Sequence, residues 1–401
     1  MGDLIPKEYR RVVLWQNLPS HHQAGYVSEL ASRGLDAAWM VQDSIADSAR
    51  SGMGWPEFES STVRLKVSPS EDEIIAELEA DPERTLHVFS GVFFVPLVRR
   101  AFVLASRRGL NLALMTEPPI PAGVDMPGEQ GGKLRKLKFV VPLAHKVFRF
   151  AYKRQIKAVF CIGKMARDWA RETGYTDAQI FPWAYFPVAP PYQAPTRESD
   201  HPFGMIYMGQ LTPRKGVDLM IEAALTLPGE NWRLKVIGKG DLSESLESRV
   251  REAGKEHLIE FHPFLPWAET MQWLAEADLA LVPSRHDGWG AVVSESLMQG
   301  VPVICTNHTG AQDLVQHPWR GSVVPAGDAE ALRQAMIHWM DQGSPCPEDR
   351  ARIRRWSHRA QGAAAAEFLI AVLAHLSGKG ERPSAPWFTD EPLPEAAAKA
   401  P

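Results

Sequence analysis

Short apolar runs alternate with helical patterns through the first half of the chain. The runs of strand length are Arg11–Trp15, Asp36–Val41, Thr62–Val67, Thr85–Phe89, Leu110–Met115 and Ala158–Ile162. Segments with helical spacing separate most of them. Strands that alternate with helices indicate a parallel sheet that is covered by helices on both faces.

The alternation begins again after a proline-rich stretch at residues 186–195 and a short polar segment. Such a composition is typical of a linker. The second set of strands is predicted at Gly204–Met208, Arg233–Ile237, Ile259–Phe261, Leu279–Val282, Val301–Cys305 and Ser322–Val324. The sequence therefore predicts an α/β protein with two Rossmann-like, doubly wound domains.

The predicted domain organisation has five segments. Residues 1–190 form an N-terminal Rossmann-like domain, 191–202 a linker and 203–350 a C-terminal Rossmann-like domain. Helices at 351–378 are predicted to cross back to the N-terminal domain, and residues 379–401, rich in Pro, Ala, Lys and Glu, are predicted to be a disordered tail. Ligands of open α/β sheets bind beyond the carboxyl ends of the strands, so two such domains predict a ligand site in the cleft between them.

The composition is that of an ordinary globular protein, with 45% hydrophobic and 23% charged residues and a net charge of −4. The three cysteines are far apart and show neither a disulfide framework nor metal-ligand spacing. The sequence contains no Asp-x-Asp, no secretory signal and no apolar run long enough to span a membrane. We therefore expect a cytoplasmic protein that uses neither a metal ion nor another cofactor.

The strongest chemical pattern is found in residues 283–304. A strand ends in a loop with Asp287, and two glycines frame Trp289 before a helix that starts near Gly290. The first amides of such a helix attract a phosphate, and Asp287 and Glu295 suit the hydroxyls of a sugar and a ribose. The alternative is an ordinary strand–turn–helix with a capping aspartate and a surface glutamate.

This segment resembles the signature of glycosyltransferase family 4, also called group 1, whose members have the GT-B fold of two Rossmann-like domains. The shared features are two acidic residues separated by seven, Gly-aromatic-Gly after the first, and Gly-x-Pro-Val-Ile after the helix. The first acid is Asp rather than the usual Glu, and the Asp-Gly-Trp-Gly form resembles one subgroup of the family. The resemblance implies the retaining transfer of a sugar from a nucleoside diphosphate sugar.

The resemblance also implies roles for individual residues of the segment. Asp287 would contact hydroxyls of the donor sugar, and Glu295 would bind the ribose hydroxyls. The backbone amides of Gly290, Ala291 and Val292 would hold the diphosphate.

Two cations, Arg214 and Lys215, follow the first strand of the second domain and precede a helix. Because a helix N-terminus repels cations, this position favours a functional role, which is to neutralise a leaving diphosphate. The alternative is a pair of solvated charges. In the family, Gly-Arg is followed by Lys-Gly: Lys215 matches, whereas Gln210 stands at the arginine position, so Arg214 is expected to substitute.

Two further segments of the second domain are expected to bind the donor. Gly238 and Gly240 match the Gly-x-Gly of the family, and glycine permits a ligand to approach the backbone. Phe264 and Leu265 fall where the family binds the base, although Phe264 is equally compatible with a core position.

The N-terminal half resembles the family only in the order of its elements. Glu117 follows the strand Leu110–Met115, where the family often has a histidine, and we expect Glu117 to activate the acceptor or to stabilise the oxocarbenium ion. An exposed loop glutamate is the alternative. His21 and His22 follow the first strand and lie near the predicted cleft. Asp287, Lys215 and Glu117 are thus the predicted catalytic residues.

Residues 133–157 belong to a longer stretch, 130–167, that contains eleven Lys and Arg residues and no acid. Apolar residues are interleaved with these cations, which is typical of an element that binds an anionic membrane surface. Cations around an ordinary domain core are the alternative. A nucleic-acid site is not indicated, because no aromatic stacking platform accompanies the cations.

The sequence therefore predicts a metal-independent, retaining glycosyltransferase that acts on a glycan or lipid-linked acceptor in cell-surface polysaccharide or lipopolysaccharide biosynthesis, on the inner face of the plasma membrane. Two alternatives remain open. One is a catalytically silent relative that binds a nucleotide sugar as a scaffold subunit. The other is a nicotinamide dehydrogenase, although neither half opens with Gly-x-Gly-x-x-Gly after its first strand.

Overall fold

A computed structural model of the chain describes residues 8–44, 58, 60–118, 146–188, 192, 194–195 and 201–390. These residues form two compact units, each built on its own parallel sheet. The described residues of the first unit lie within Met1–Pro118, Leu137–Val188 and Arg359–Phe388. Those of the second unit lie within Ala189–His358 and Thr389–Pro401.

The first unit contains a seven-stranded sheet with the strand order β3-β2-β1-β4-β5-β6-β7. Its strands are β1 (Arg11–Gln16), β2 (Asp36–Val41), β3 (Arg64–Val67), β4 (Thr85–Ser90), β5 (Asn111–Thr116), β6 (Ile156–Ile162) and β7 (Ile180–Trp183). All neighbouring strands are parallel. The strand order reverses between β1 and β4, which is the position where doubly wound sheets open toward a ligand.

Helices cover this sheet. They are α1 (His21–Ser32), α2 (Glu71–Glu79), α3 (Pro96–Arg107), α4 (helical residues 146–152), α5 (Gly163–Glu172) and, from the end of the chain, α12 (Gly362–Leu376). Helix α12 packs against α1 at two glycines, where a Cβ on Gly362 would lie 2.5 Å from the carbonyl carbon of Gly25. The two backbones approach closely because neither residue has a side chain.

The second unit contains a six-stranded parallel sheet with the order β10-β9-β8-β11-β12-β13. Its strands are β8 (Phe203–Met208), β9 (Trp232–Ile237), β10 (Ile259–His262), β11 (Leu279–Val282), β12 (Val303–Thr306) and β13 (Gly321–Val324). Its helices are α6 (Val217–Leu225), α7 (Ser243–Glu252), α8 (Trp267–Glu276), α9 (Ala291–Met298), α10 (Ala329–Gln342) and α11 (Pro347–Ser357). Strand β11 is buried along its whole length, as expected for a strand with both faces covered.

Four short 3₁₀ segments complete the described structure: Pro213–Lys215, Gly310–Val315, His358–Ala360 and Pro386–Phe388. No helix in the described parts of the chain is long and apolar enough to cross a membrane.

The predicted fold class is confirmed, and most predicted strands are present within two residues of their expected ends. The prediction of a disordered tail at 379–401 is wrong for residues 379–390. Trp387 is buried and contacts Phe186 and Phe368, and Arg382 donates hydrogen bonds to backbone carbonyls at the edge of the first sheet. Aromatic burial orders this segment although its composition is polar and proline-rich. Residues 391–401 lie outside the described residues.

The proline-rich stretch and the C-terminal helices also differ from the sequence prediction. Phe186 is buried in the first unit, and its amide donates to the carbonyl of His22, so the stretch begins as part of that unit. Helix α11 belongs to the second unit, and the chain joins the first unit only from Arg359 onward.

Candidate functional site in the second unit

The strand order of the second sheet reverses between β8 and β11, so the loops after these two strands are neighbours. The amide of Arg285 donates to the carbonyl of Arg214 at 2.9 Å, and Arg214 Nη1 donates to the carbonyl of His286 at 3.1 Å. These bonds join the turn Pro213–Lys215, called the cationic turn below, to the loop that carries Asp287. Two segments that the sequence analysis treated separately therefore form one site.

Lys215 and Asp287 form an ion pair at the centre of this site. The Nζ atom of Lys215 lies 2.5 Å from Oδ2 of Asp287, and the side chains are 22% and 13% exposed. Burial alone would raise the pKa of Asp287, but the charge and hydrogen bond of Lys215, together with the charge of Arg214, hold it below its usual value. Asp287 is therefore an ionised carboxylate with a cationic partner.

The loop after β12 holds the backbone of Asp287 from the other side. The amide of Asp287 donates to the carbonyl of His308, and the amide of Gly310 donates to the carbonyl of Asp287, both at 3.0 Å. Thr309 pairs with Asp287 as an isolated parallel bridge. His308 and Thr309 were not predicted as site residues, because their only signal in the sequence is their position shortly after a buried strand.

Gly290 is the N-cap residue that precedes helix α9; it has a φ of 86° and supplies no side-chain cap. A Cβ at this position would lie 2.6 Å from Cγ2 of Thr309 and 3.6 Å from Oδ2 of Asp287. The absence of a side chain at Gly290 therefore lets the start of α9 lie against Thr309 and Asp287. An uncapped helix N-terminus next to two cations is suited to an anion such as a diphosphate.

Glu295 is a buried residue of α9, so the alternative of a surface glutamate is wrong. Burial raises the pKa of its carboxyl to about 7, and an interaction with the indole of Trp267 opposes this rise only in part. The group therefore titrates near neutral pH. Buried carboxyl groups with such a pKa are concentrated at functional sites.

Gly238 follows β9 with a φ of 148°, and a Cβ there would lie 1.8 Å from the carbonyl oxygen of Gly209. The same test at Gly240 gives 2.4 Å to the carbonyl oxygen of Leu211. Close contact with the chain after β8 thus requires both glycines. Phe264 is 55% exposed, which contradicts the alternative that it is a core residue, and Leu265 is partly exposed beside it.

His286 was not singled out from the sequence. Its side chain is buried next to Arg214 and Asp287, and burial lowers its pKa to about 4 although the charge of Asp287 acts in the opposite direction. The imidazole is therefore neutral near pH 7. Its position adds an uncharged polar group to a site of otherwise charged side chains.

The first unit has its own group of polar residues at the carboxyl ends of its strands. The hydroxyl of Tyr185 donates to Oε1 of Glu117. The ring of Tyr185 stacks on His22, with centroids 5.1 Å apart and an interplanar angle of 4°, and His21 and His22 are buried side by side. The exposed loop glutamate of the sequence analysis is thus oriented by a tyrosine.

Residues 133–145 of the predicted basic membrane segment lie outside the described residues, and 146–157 lie within them. Phe148 of α4 packs against Phe93 and Phe102 in the core, whereas Val147 is 61% and Phe150 73% exposed. Part of the apolar pattern therefore belongs to the core and part faces outward. In the parts of the chain that the structure describes, no group of three potential metal ligands occurs.

Comparison with known proteins shows which family the second unit resembles. Residues 191–358 match the family of glycosyl transferases group 1. The chain is 30% identical to the amylovoran biosynthesis glycosyltransferase AmsK of Erwinia amylovora over 150 residues. The matched region covers 35% of this chain and 37% of AmsK. The chain is 32% identical over 130 residues to the lipopolysaccharide core biosynthesis glycosyltransferase LpsE of Rhizobium meliloti, covering 32% of this chain and 37% of LpsE. The chain thus spans little more than a third of the length of these relatives.

Among solved structures, HepE of Anabaena in complex with UDP matches with a TM-score of 0.64 and 15% identity, over 92% of this chain and 100% of HepE. At this identity the likeness concerns the fold. Residues 191–358 therefore resemble the glycosyl transferases group 1, and the two parallel sheets match the GT-B fold of the solved structures.

Proposed function

We propose that the protein is a retaining glycosyltransferase that moves a sugar from a nucleoside diphosphate sugar to a glycan or lipid-linked acceptor without a metal ion. The observation that carries this proposal is the Lys215–Asp287 ion pair beside the uncapped start of α9. Together with Arg214, this arrangement offers cationic and amide donors to a diphosphate and a carboxylate to sugar hydroxyls.

In the proposed reaction, the bond between the anomeric carbon and the diphosphate oxygen breaks. The acceptor oxygen forms a new bond to the anomeric carbon on the same face, and its proton passes to the leaving diphosphate or to Glu117. Arg214, Lys215 and the amides of α9 stabilise the negative charge that develops on the leaving diphosphate. Such preorganised donors supply a large part of transition-state stabilisation in enzymes.

The remaining residues bind the substrates. Glu295 accepts hydrogen bonds from the ribose hydroxyls, and the exposed Phe264 with Leu265 lies next to the base. Glu117, oriented by Tyr185, acts on the acceptor hydroxyl or on the oxocarbenium ion. The relatives AmsK and LpsE support cell-surface polysaccharide or lipopolysaccharide as the product class, and the HepE complex supports UDP as a first candidate for the nucleotide.

The test is a thermal-shift screen of UDP-, GDP- and ADP-sugars, followed by assays for slow donor hydrolysis and for the anomeric configuration of the product by NMR. One nucleotide should stabilise the protein, and its sugar should be released or transferred with retention. Binding without turnover would favour the silent scaffold, and stabilisation by NAD instead would favour a dehydrogenase. An inverted product would contradict the proposed mechanism.

We also propose that residues 133–157 dock the first unit on an anionic membrane. Support comes from the exposed apolar residues Val147 and Phe150 of α4, with Lys153 lying over the ring of Phe150. An exposed apolar side chain among cations suits the boundary between lipid headgroups and acyl chains. Each cation near such a surface contributes about 1 kcal/mol.

Flotation with phosphatidylglycerol liposomes tests this docking. Binding is expected at low salt and should weaken at high salt. It should drop sharply when Lys133, Arg135, Lys136 and Lys138 become Glu, and also for Phe150→Asp. The control variant reverses two exposed cations of α7, Arg249→Glu with Arg251→Glu, and should bind like the wild type. Absence of flotation at low salt would favour a soluble acceptor.

A further inference from the structure

We propose that Arg285 is a positioning residue: by clamping Asp218 and the carbonyl of Pro213, it fixes the cationic turn that presents Lys215 to Asp287. The effect of Arg285 on catalysis rests on the proposed function, whereas its effect on the ion pair does not. Arg285 does not touch the ion pair itself. It would act through Lys215.

Arg285 makes a two-pronged contact with the start of α6. Its Nη1 lies 2.6 Å from Oδ1 of Asp218, and its Nη2 lies 2.8 Å from Oδ2 of the same carboxylate. The same Nη1 also donates to the carbonyl of Pro213 at 2.7 Å. One guanidinium therefore holds both ends of the segment that contains Arg214 and Lys215.

The backbone of Arg285 adds further ties on its own side. Its amide and that of His286 donate to the carbonyl of Arg214, and its carbonyl lies 3.1 Å from Nδ1 of His308. Arg285 thus lies where the loops after β8, β11 and β12 meet. Asp287 follows it by two residues, and Lys215 lies between its two side-chain contacts, Pro213 and Asp218.

The electrostatics of the turn explain why such a clamp is needed. Arg214 and Lys215 precede the positive end of a helix, which disfavours them. Asp218, in the first turn of α6, is favourable there and is held ionised by Arg285, because the hydrogen bonds and charge of Arg285 lower the pKa of Asp218 against the effect of burial. The pair keeps a negative charge at the helix start and prevents the cationic turn from moving away.

A planar guanidinium is required for this function. Arginine meets a carboxylate through two parallel hydrogen bonds in a fixed geometry, whereas lysine is a single point charge on a flexible stem. Arg285→Lys therefore keeps the charge and loses the clamp. A loosened turn would no longer hold Nζ of Lys215 at its place beside Asp287, although both residues of the ion pair are still present.

A suitable control is found on α10. Arg333 also makes a two-pronged contact, through Nε and Nη2 to Glu330 at 2.8 Å each, within a helix outside the loops that form the site. Arg333→Lys removes the same type of interaction from the same unit. It should leave every property of the ion pair and of donor turnover unchanged.

The first experiment measures the coupling between Lys215 and Asp287 in the full chain without any substrate. Urea unfolding of Lys215→Met, Asp287→Asn and the double variant gives the interaction energy of the pair. In the Arg285→Lys background this coupling is expected to fall by at least half, and in the Arg333→Lys background it should not change. An undiminished coupling in Arg285→Lys would overturn the inference, whether or not the protein is a glycosyltransferase.

The second experiment uses hydrolysis of the UDP-, GDP- or ADP-sugar that stabilises the wild type. Arg285→Lys is expected to lower kcat at least 10-fold and to change KM less than 3-fold. In a Lys215→Met background the same substitution should change kcat less than 2-fold, because Arg285 acts through Lys215. Additive losses would contradict the positioning role. If the wild type neither binds nor hydrolyses any of these sugars, the proposed function fails, and the unfolding experiment still decides the inference.

Discussion

Nζ of Lys215 lies 2.5 Å from Oδ2 of Asp287, although the two residues are 72 positions apart in the sequence. The cation expected to meet a diphosphate is thus held by the carboxylate expected to meet the sugar. The contact with Lys215 keeps the Asp287 carboxylate ionised although it is largely buried. A donor that binds beside the pair meets two charged groups that are already oriented.

Removal of one partner should cost stability as well as activity. Lys215→Met leaves the Asp287 carboxylate without its cation, and we expect a loss on the order of 2 kcal/mol, together with at least a 100-fold loss of donor turnover. Adding Asp287→Asn should restore most of the stability and none of the activity. Urea unfolding and donor hydrolysis measure the two effects. Wild-type stability in Lys215→Met would mean that the ion pair contributes nothing to the fold.

The raised pKa of Glu295 predicts a pH-dependent gain from Glu295→Gln. The pKa of this carboxyl is about 7 in the folded state, compared with an ordinary value of 4.5. The free energy of unfolding therefore falls as the pH rises from about 4.5 to 7, because the unfolded chain loses this proton first. The loss of stability is complete above pH 7. The variant should therefore be more stable than the wild type at pH 8, by up to about 3 kcal/mol, and show no gain at pH 4.

Thermal unfolding at pH 4, 6 and 8 checks this prediction. Nucleotide affinity supplies a second readout, because a neutral Glu295 is a weaker acceptor for ribose hydroxyls. Affinity of the wild type should fall as the pH drops below 7, and that of Glu295→Gln should stay flat. An equal stability difference at all three pH values would contradict a pKa near 7.

Gly238→Ala should disrupt the chain next to the donor site. The new Cβ would lie 1.8 Å from a backbone oxygen, so the strand end must shift, and we expect a loss of more than about 2 kcal/mol. Gly229→Ala is the matched control. Its φ of 68° is also left-handed but no atom lies within 4 Å of the added Cβ, so it should cost only about 1 kcal/mol. Equal losses in urea unfolding would show that the close contact is unimportant.

The anchoring of the C-terminal segment can be tested at two adjacent aromatic residues. Trp387 is 1% exposed and Phe388 is 38% exposed. Trp387→Ala should therefore cost about 3–5 kcal/mol, as is typical of buried tryptophans, and Phe388→Ala much less. Thermal unfolding of both variants measures the difference. A tail that is not packed would make the two substitutions equally harmless.

Activity should survive EDTA. Arg214, Lys215 and the first amides of α9 are proposed to replace a cation at the diphosphate. The measurement is donor hydrolysis after exhaustive chelation, compared with the same sample after addition of manganese or magnesium. Turnover that disappears with the chelator and returns with the metal would exclude a metal-independent mechanism.

The sequence predicts the strands well because each buried strand is a short apolar run between turn signals. Asp36–Val41 and Leu279–Val282 have the predicted bounds. The missed strand, β7, contains Pro182, which normally argues against a strand. It is tolerated here because β7 is the last strand of its sheet, where one side needs no hydrogen bonds.

The components of the candidate site are recognisable in the sequence, but their contacts are not. The glycines and charged residues stand in loops after predicted strands, so their approximate location follows from the fold class. The pairing of Lys215 with Asp287 and of Arg285 with Asp218 depends on which strands are neighbours. The burial of Trp387 could not be predicted from the sequence either, because the residues around it are polar and proline-rich and form no pattern of a buried element.

Helix α12 covers α1 at the Gly25–Gly362 contact, yet the strands of the second unit are encoded between the two helices. During synthesis, α12 can pack against α1 only after the ribosome has translated from residue 188 to residue 359. This takes on the order of ten to thirty seconds. Through this interval the face of α1 that receives α12 is available to chaperones. The helix that covers α1 is thus made after every strand of the second sheet.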